Sequence, residues 1–176
     1  MIASTLEIAD ELGINGAMFA DFITNLSDAD FEFSPDGKWS AGQNVEHLIK
    51  SMSPVNMALR LPKFLPRMLY GRANRASKTF DELVDRYTER LAAGGTATSP
   101  FVPSVVLASQ KDAKLAAFSN QVARLARVTN TWTEAQLDEY ILPHPLLGKV
   151  TIREMLFFSV YHIEHHLNIL KARKKQ

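Results

Sequence analysis

The stretch "FFSVYHIEHHLNILKARKKQ" (residues 157–176) holds three of the chain's five histidines, His162, His165 and His166. With the preceding "TIREML" it predicts a final helix from about Thr151 to Arg173, because Ile152, Leu156, Ile163, Leu167 and Leu170 recur at helical spacing. An α-helix advances about 100° per residue, so these five residues define one buried arc. His166 falls roughly 50° from the centre of that arc and His162 roughly 90°, both on the same side. His165 lies roughly 150° away, on the outward face. The inward pair is spaced i, i+4, so two imidazoles one turn apart can converge on one divalent ion. Lys171 and Arg173 suit a helix C-terminus, where unpaired carbonyls leave partial negative charge.

Upstream, Leu12, Phe19, Phe22, Ile23 and Leu26 mark a helix over residues 3–26. "SDADFEFSPDGKW" breaks it with Pro35 and an Asp-Gly turn. A second helix is expected to begin after a Ser40 N-cap, with an apolar stripe of Val45, Leu48, Ile49 and Met52, and to kink or end at Pro54. Pro62, Pro66 and Gly71 predict broken helix and loop. A shorter helix follows in "TFDELVDRYTERLAAGG", stopped at Gly94-Gly95. A long helix over about 104–130 carries Leu115, Phe118, Val122 and Leu125. "TWTEAQLDEYILPHPLLGK" reads as a turn of helix and then an irregular loop, and no strand is expected. The predicted fold is all-α: an antiparallel four-helix bundle in one domain over residues 1–176, with a short helix and loop elaboration around 60–100.

The chain has 176 residues, 46% hydrophobic and 22% charged, enough for one substantial core. It has no cysteine. That excludes a disulfide framework, a thiolate metal site and a cysteine nucleophile, and it fits a reducing cytoplasm, the expected location. "MIASTLEIADELG" lacks the basic head and apolar run of a secretory signal, and no apolar stretch approaches the roughly 18–20 residues of a membrane span. The net charge of +1 hides an asymmetry: residues 1–37 contain acids and no Lys or Arg, residues 51–79 the reverse. Such segments neutralise one another within a fold or across a dimer, or they bind an anionic partner.

A two-histidine site needs a third ligand, and His47 and His144 remain. On the second helix His47 lies off the apolar stripe, in line with Ser40, Asn44, Ser51 and Ala58, whose small or polar side chains leave room for a cavity. Spacing alone leaves two readings open. Either His47 joins His162 and His166 in a three-histidine site, or His47 and His162 face solvent and His166 is a hydrogen-bonded residue at the edge of the core.

"WSAGQNVEHL" (Trp39 to Leu48) resembles the W-S-x-x-E/Q-x-x-x-H-L signature of the DinB-like superfamily, the DinB/YfiT-like metalloenzymes. "HPLLGKVTIREMLFFSVYHIEHH" (His144 to His166) is similar to that family's C-terminal pattern, a G-x-[ML]-T turn entering a last helix with a histidine pair four apart. The resemblance implies an antiparallel four-helix bundle and a divalent metal, often nickel or zinc, held by His47, His162 and His166. It also implies chemistry on water or a low-molecular-weight thiol, as in a hydrolase or a thiol S-transferase, with a small-molecule substrate and a homodimer. It does not settle the reaction. Three neutral imidazoles leave a divalent charge uncompensated, which would acidify a water or thiol bound to it.

No catalytic side chain is assigned. Asn44 and Glu164 are nominal acceptors for orienting the imidazoles, with Glu164 discounted by its helical phase. Glu46 reads as a solvated helix residue and Tyr161 as surface. His144, between two prolines, reads as part of a rigid connector or as a residue reaching the mouth of the bundle. Arg153 and the basic 60–78 segment read as solvated surface or as steering for an anionic substrate. A competing class is a binding module: six cations with Phe64 and Tyr70 in 51–79 suggest nucleic acid or an anionic membrane, against which the acidic first helix weighs. A third is a bundle that keeps its metal without turnover.

Overall fold

The computed structural model describes residues 4–174. Its elements in order are α1 (Thr5–Thr24), α2 (Asp28–Glu32), α3 (Ala41–Arg60), α4 (Phe64–Tyr70), α5 (Phe80–Ala92), α6 (Lys111–Thr129), α7 (Glu134–Glu139), β1 (Ile141–His144), β2 (Gly148–Thr151) and α8 (Ile152–Lys174). The expected start of the first helix at residue 3 lies outside the described residues. The fold is mostly helical, as the periodicity implied, with one two-stranded sheet. No described helix is long and apolar enough to cross a membrane.

Helix starts are set by side-chain caps. Ser4, Ser40, Thr79 and Thr133 each accept from the backbone N–H three residues on, and the Glu or Gln there returns a bond to the cap's own N–H. This reciprocal pairing satisfies two otherwise orphaned donors at each helix start. Ser40 matters most here, because its cap fixes where α3 begins and therefore which residues of α3 face inward.

The four long helices α1, α3, α6 and α8 pack on one another around one core. Its largest fully buried side chains include Phe19, Phe31, Phe118, Leu48 and Ile152, and Phe19 and Phe118 meet at 5.0 Å between α1 and α6. α5 lies along α8 as an additional helix.

Three elements depart from the sequence expectation. α3 runs through Pro54 to Arg60 with no break. A proline inside a helix costs about 3 kcal/mol, but Pro54 is exposed while Val55, Asn56 and Leu59 beyond it are buried. Burying a large aliphatic side chain returns about 1.5–3 kcal/mol, so the helix continues. α6 starts at Lys111 rather than near 104, after an extended segment that buries Val106.

The expected irregular loop after α7 is a β-hairpin. Ile141 pairs with Thr151 and His144 with Gly148 in antiparallel register, and Gly148 adopts φ +74° where the three-residue loop closes. A left-handed residue after a three-residue loop is a standard hairpin closure, and glycine takes it without steric cost. Pro143 fits within β1 because a two-stranded ribbon consists only of edges, where proline's missing donor is tolerated.

Part of the basic 51–79 segment finds partners within the fold, though not in the acidic N-terminus. Arg72 pairs with Glu139 at 2.7 Å, Arg75 with Glu154 at 2.5 Å, and Lys63 donates to the Thr131 carbonyl and to Gln136. Arg153, read as surface or as substrate steering, is instead held by Glu134 and Asp138.

Candidate metal centre

The Ser40 cap begins α3 so that Asn44 and His47, almost one turn apart, both point into the molecule; they are 2% and 6% exposed. α8 presents His162 and His166 to the same point, 4% and 6% exposed. His47 Nε2 lies 3.1 Å from His162 Nε2, and His166 Nε2 lies 3.0 Å from the same atom. The solvent-facing alternative for His47 and His162 is therefore excluded: these three histidines form a buried group able to hold a metal ion.

Backbone and amide acceptors set the imidazoles' protonation. His47 Nδ1 lies 2.8 Å from the Phe101 carbonyl, which can only accept, so the ring donates there and keeps its Nε2 lone pair. Asn44 donates its amide to the carbonyls of Trp39 and Ser40, which turns its Oδ1 to accept from His166 Nδ1 at 2.6 Å. His166 Nε2 is thereby a bare lone pair as well.

Two lone pairs thus converge on His162 Nε2, whose single proton in the neutral ring cannot satisfy both. All three histidines are held below their ordinary pKa, chiefly by burial, which penalises the charged ring. A cation among the three nitrogens would relieve the conflict. Nitrogens sharing one zinc at ~2.0–2.1 Å sit about 3.3 Å apart in tetrahedral geometry, close to the separations found. The donor set fits a divalent ion.

The group lines a cavity of about 910 Å³ whose walls include Trp39, Val55, Tyr87, Phe101 and Phe158. Asn44, Ser51 and Ala58 of the expected small and polar run on α3 line it too. The Trp39 ring lies 4.7 Å from that of His47, and Phe158 stacks at 4.6 Å on His162.

The remaining sequence candidates divide. Of the two readings of His144, the structure favours the residue that reaches the site over the rigid connector. His144 sits on β1, is 7% exposed, and lines the same cavity. His165 is not on an open outward face: α5 covers that side of α8, so His165 is half-buried, lines the cavity and lies 6.0 Å from the Tyr87 ring. Helical phase assumes one buried side, and α8 has more than one. Glu46 is 9% exposed and pairs with Lys114 at 2.6 Å rather than being solvated. Glu164 is exposed, as its phase predicted, and Tyr161 is half-buried beside His165.

Sequence reasoning missed Phe101 and Tyr87. Phe101 contributes a backbone carbonyl from a loop, which any residue type can supply. Tyr87 has the sequence character of an ordinary helix aromatic, and nothing in its spacing marks it as facing the site.

Fold and site define a mostly helical protein with a buried three-histidine group fit for a divalent ion, opening on a large cavity. The DinB superfamily sequence model matches residues 11–170, and the chain belongs to that superfamily. No curated protein and no solved structure matches it.

Proposed function

We propose that this chain is a metal-dependent enzyme whose centre is a divalent ion, nickel or zinc, held by His47, His162 and His166. On this reading α1, α3, α6 and α8 are the antiparallel four-helix bundle that carries it, and water or a low-molecular-weight thiol is the co-reactant of a hydrolase or thiol S-transferase. The observation that carries the reading is the convergence of three Nε2 atoms, two of them stripped of protons by the acceptors on their Nδ1 atoms.

Bound there, a divalent ion supplies Lewis acidity that lowers the pKa of a water or thiol and provides a nucleophile near neutral pH. The chain's own residues do the rest. Phe101 and Asn44 lock the ring orientations of His47 and His166. Trp39 and Phe158 cover the imidazoles and keep bulk water from their faces. Burial keeps all three rings neutral, the state that donates a lone pair.

Elemental analysis of protein purified without added metal tests this, beside His47→Ala and His166→Ala variants. About one nickel or zinc per chain is expected in the wild type, with loss in both variants. A wild type that takes up no stoichiometric divalent metal, or variants that bind equally well, would overturn the reading.

A further inference from the structure

Two hydrogen-bond donors in the cavity have no partner in the protein. His144 Nδ1 accepts from the backbone N–H of Leu146 at 3.2 Å and of Leu147 at 3.1 Å. A backbone N–H can only donate, so the neutral His144 ring must carry its proton on Nε2. Among the described residues that Nε2–H has no acceptor, and neither does the Tyr87 hydroxyl. Both side chains are more than nine-tenths buried, His144 at 7% exposure and Tyr87 at 6%, and both line the cavity.

They also sit together and beside the histidine group. The Tyr87 ring lies 6.3 Å from those of His144 and His162, and Phe158 packs against all three, at 5.0, 4.2 and 4.6 Å. Burial holds both groups in their donor forms: it pushes the Tyr87 hydroxyl up to about 12 and His144 down to about 4. Both donors face the open cavity, and a few polar groups placed in a largely apolar wall are what orient a ligand.

We propose that the cavity binds a largely apolar small molecule bearing a carbonyl oxygen, with the Tyr87 hydroxyl and His144 Nε2–H as the donors that hold that oxygen. This names the substrate class of the metal site proposed above and rests on that reading for its chemistry. The volume of about 910 Å³ is within the range of sites that enclose a drug-sized ligand. The aromatic walls suit an apolar body, and two uncharged donors suit a neutral oxygen acceptor.

The test titrates full-length protein, zinc-free and zinc-loaded, with prodan, a neutral naphthalene ketone, and with the same dimethylaminonaphthalene lacking the propionyl group. Prodan is expected to bind the wild type with blue-shifted emission. Tyr87→Phe, which removes only the hydroxyl, weakens prodan binding about fivefold and leaves the ketone-free probe unchanged. Equal prodan affinity in wild type and Tyr87→Phe, or equal weakening of both probes, overturns the proposal.

His144→Phe would also orphan two amides and can disturb the hairpin, so the role of His144 is read in the wild type by long-range nitrogen–proton NMR. A protonated Nε2 whose proton resonance moves downfield with prodan supports the assignment; an Nδ1–H tautomer or an unmoved resonance overturns it. Zinc uptake is followed in the same samples. Its failure with ketone selectivity intact removes the metal reading alone, and retained uptake without selectivity removes the ligand class alone.

Discussion

Asn44 Oδ1 accepts the Nδ1 proton of His166 at 2.6 Å, across the interface between α3 and α8. The bond makes His166 Nε2 a lone-pair donor and fixes the plane of its ring. Residues that orient metal-binding histidines are typically worth 10–100-fold in metal affinity. Asn44→Leu is therefore expected to weaken zinc or nickel binding about 10–100-fold, measured by competition with a chromophoric chelator. Unchanged affinity in a folded variant would remove Asn44 from the site.

The metal-free protein should lose stability on mild acidification, and His144 identifies part of the cause. Burial lowers its pKa from 6.5 to about 4. Between those values the unfolded chain binds a proton that the folded chain refuses, so stability falls as pH drops from 6.5 towards 4. That difference corresponds to about 3 kcal/mol at most. Urea midpoints across this range should fall in the wild type. His144→Gln, which does not titrate, should show a shallower slope, and an identical slope would place His144 in water.

A second acid-sensitive contribution belongs to Glu154, whose side chain is fully buried at the start of α8. Burial raises its pKa, but two bonds from Arg75 and the N–H groups of Lys78 and Thr151 outweigh that and leave the pKa lowered. The resulting stabilisation is present above the ordinary carboxylate value of 4.5 and disappears as pH falls through the lower folded value. Arg75→Ala is expected to cost about 2–3 kcal/mol at pH 7, below the ~3–5 of a fully buried pair because Arg75 is 38% exposed. Chemical denaturation at pH 7 and pH 3 checks this: the gap between wild type and variant should narrow at the lower pH.

Gly148 links the backbone to the cavity. Its φ of +74° closes the hairpin that carries His144, and a Cβ there would meet no atom within 4 Å. Gly148→Ala should therefore cost only the left-handed penalty of about 1–2 kcal/mol. Thermal unfolding would register that loss, and the His144 resonances should shift while those of His47 do not.

The helical phase of "YHIEHH" and the Ser40 cap were readable from residue types alone, because a helix places its side chains by arithmetic. So was the pairing of His162 with His166. The convergence of His47 on them carried weight in the sequence only through the resemblance of "WSAGQNVEHL" to known DinB-like chains. Helical phase misjudged His165, since it could not show that α5 would cover a second side of α8. It also had no access to the hairpin, whose Pro143 is tolerated only because both strands are edges.

By itself, then, the sequence determined that the chain is mostly helical, that α3 starts after Ser40 and α8 near Thr151, and which two histidines of the final cluster turn inward. These are local properties of period and capping. Tertiary structure alone decided that the Phe101 carbonyl sets the His47 tautomer, that Asn44, a nominal acceptor in the sequence, serves His166, and that Tyr87 and His144 share a cavity with them. The two tautomer-setting bonds join residues 54 and 122 positions apart, and only packing brings such distant groups within hydrogen-bonding reach.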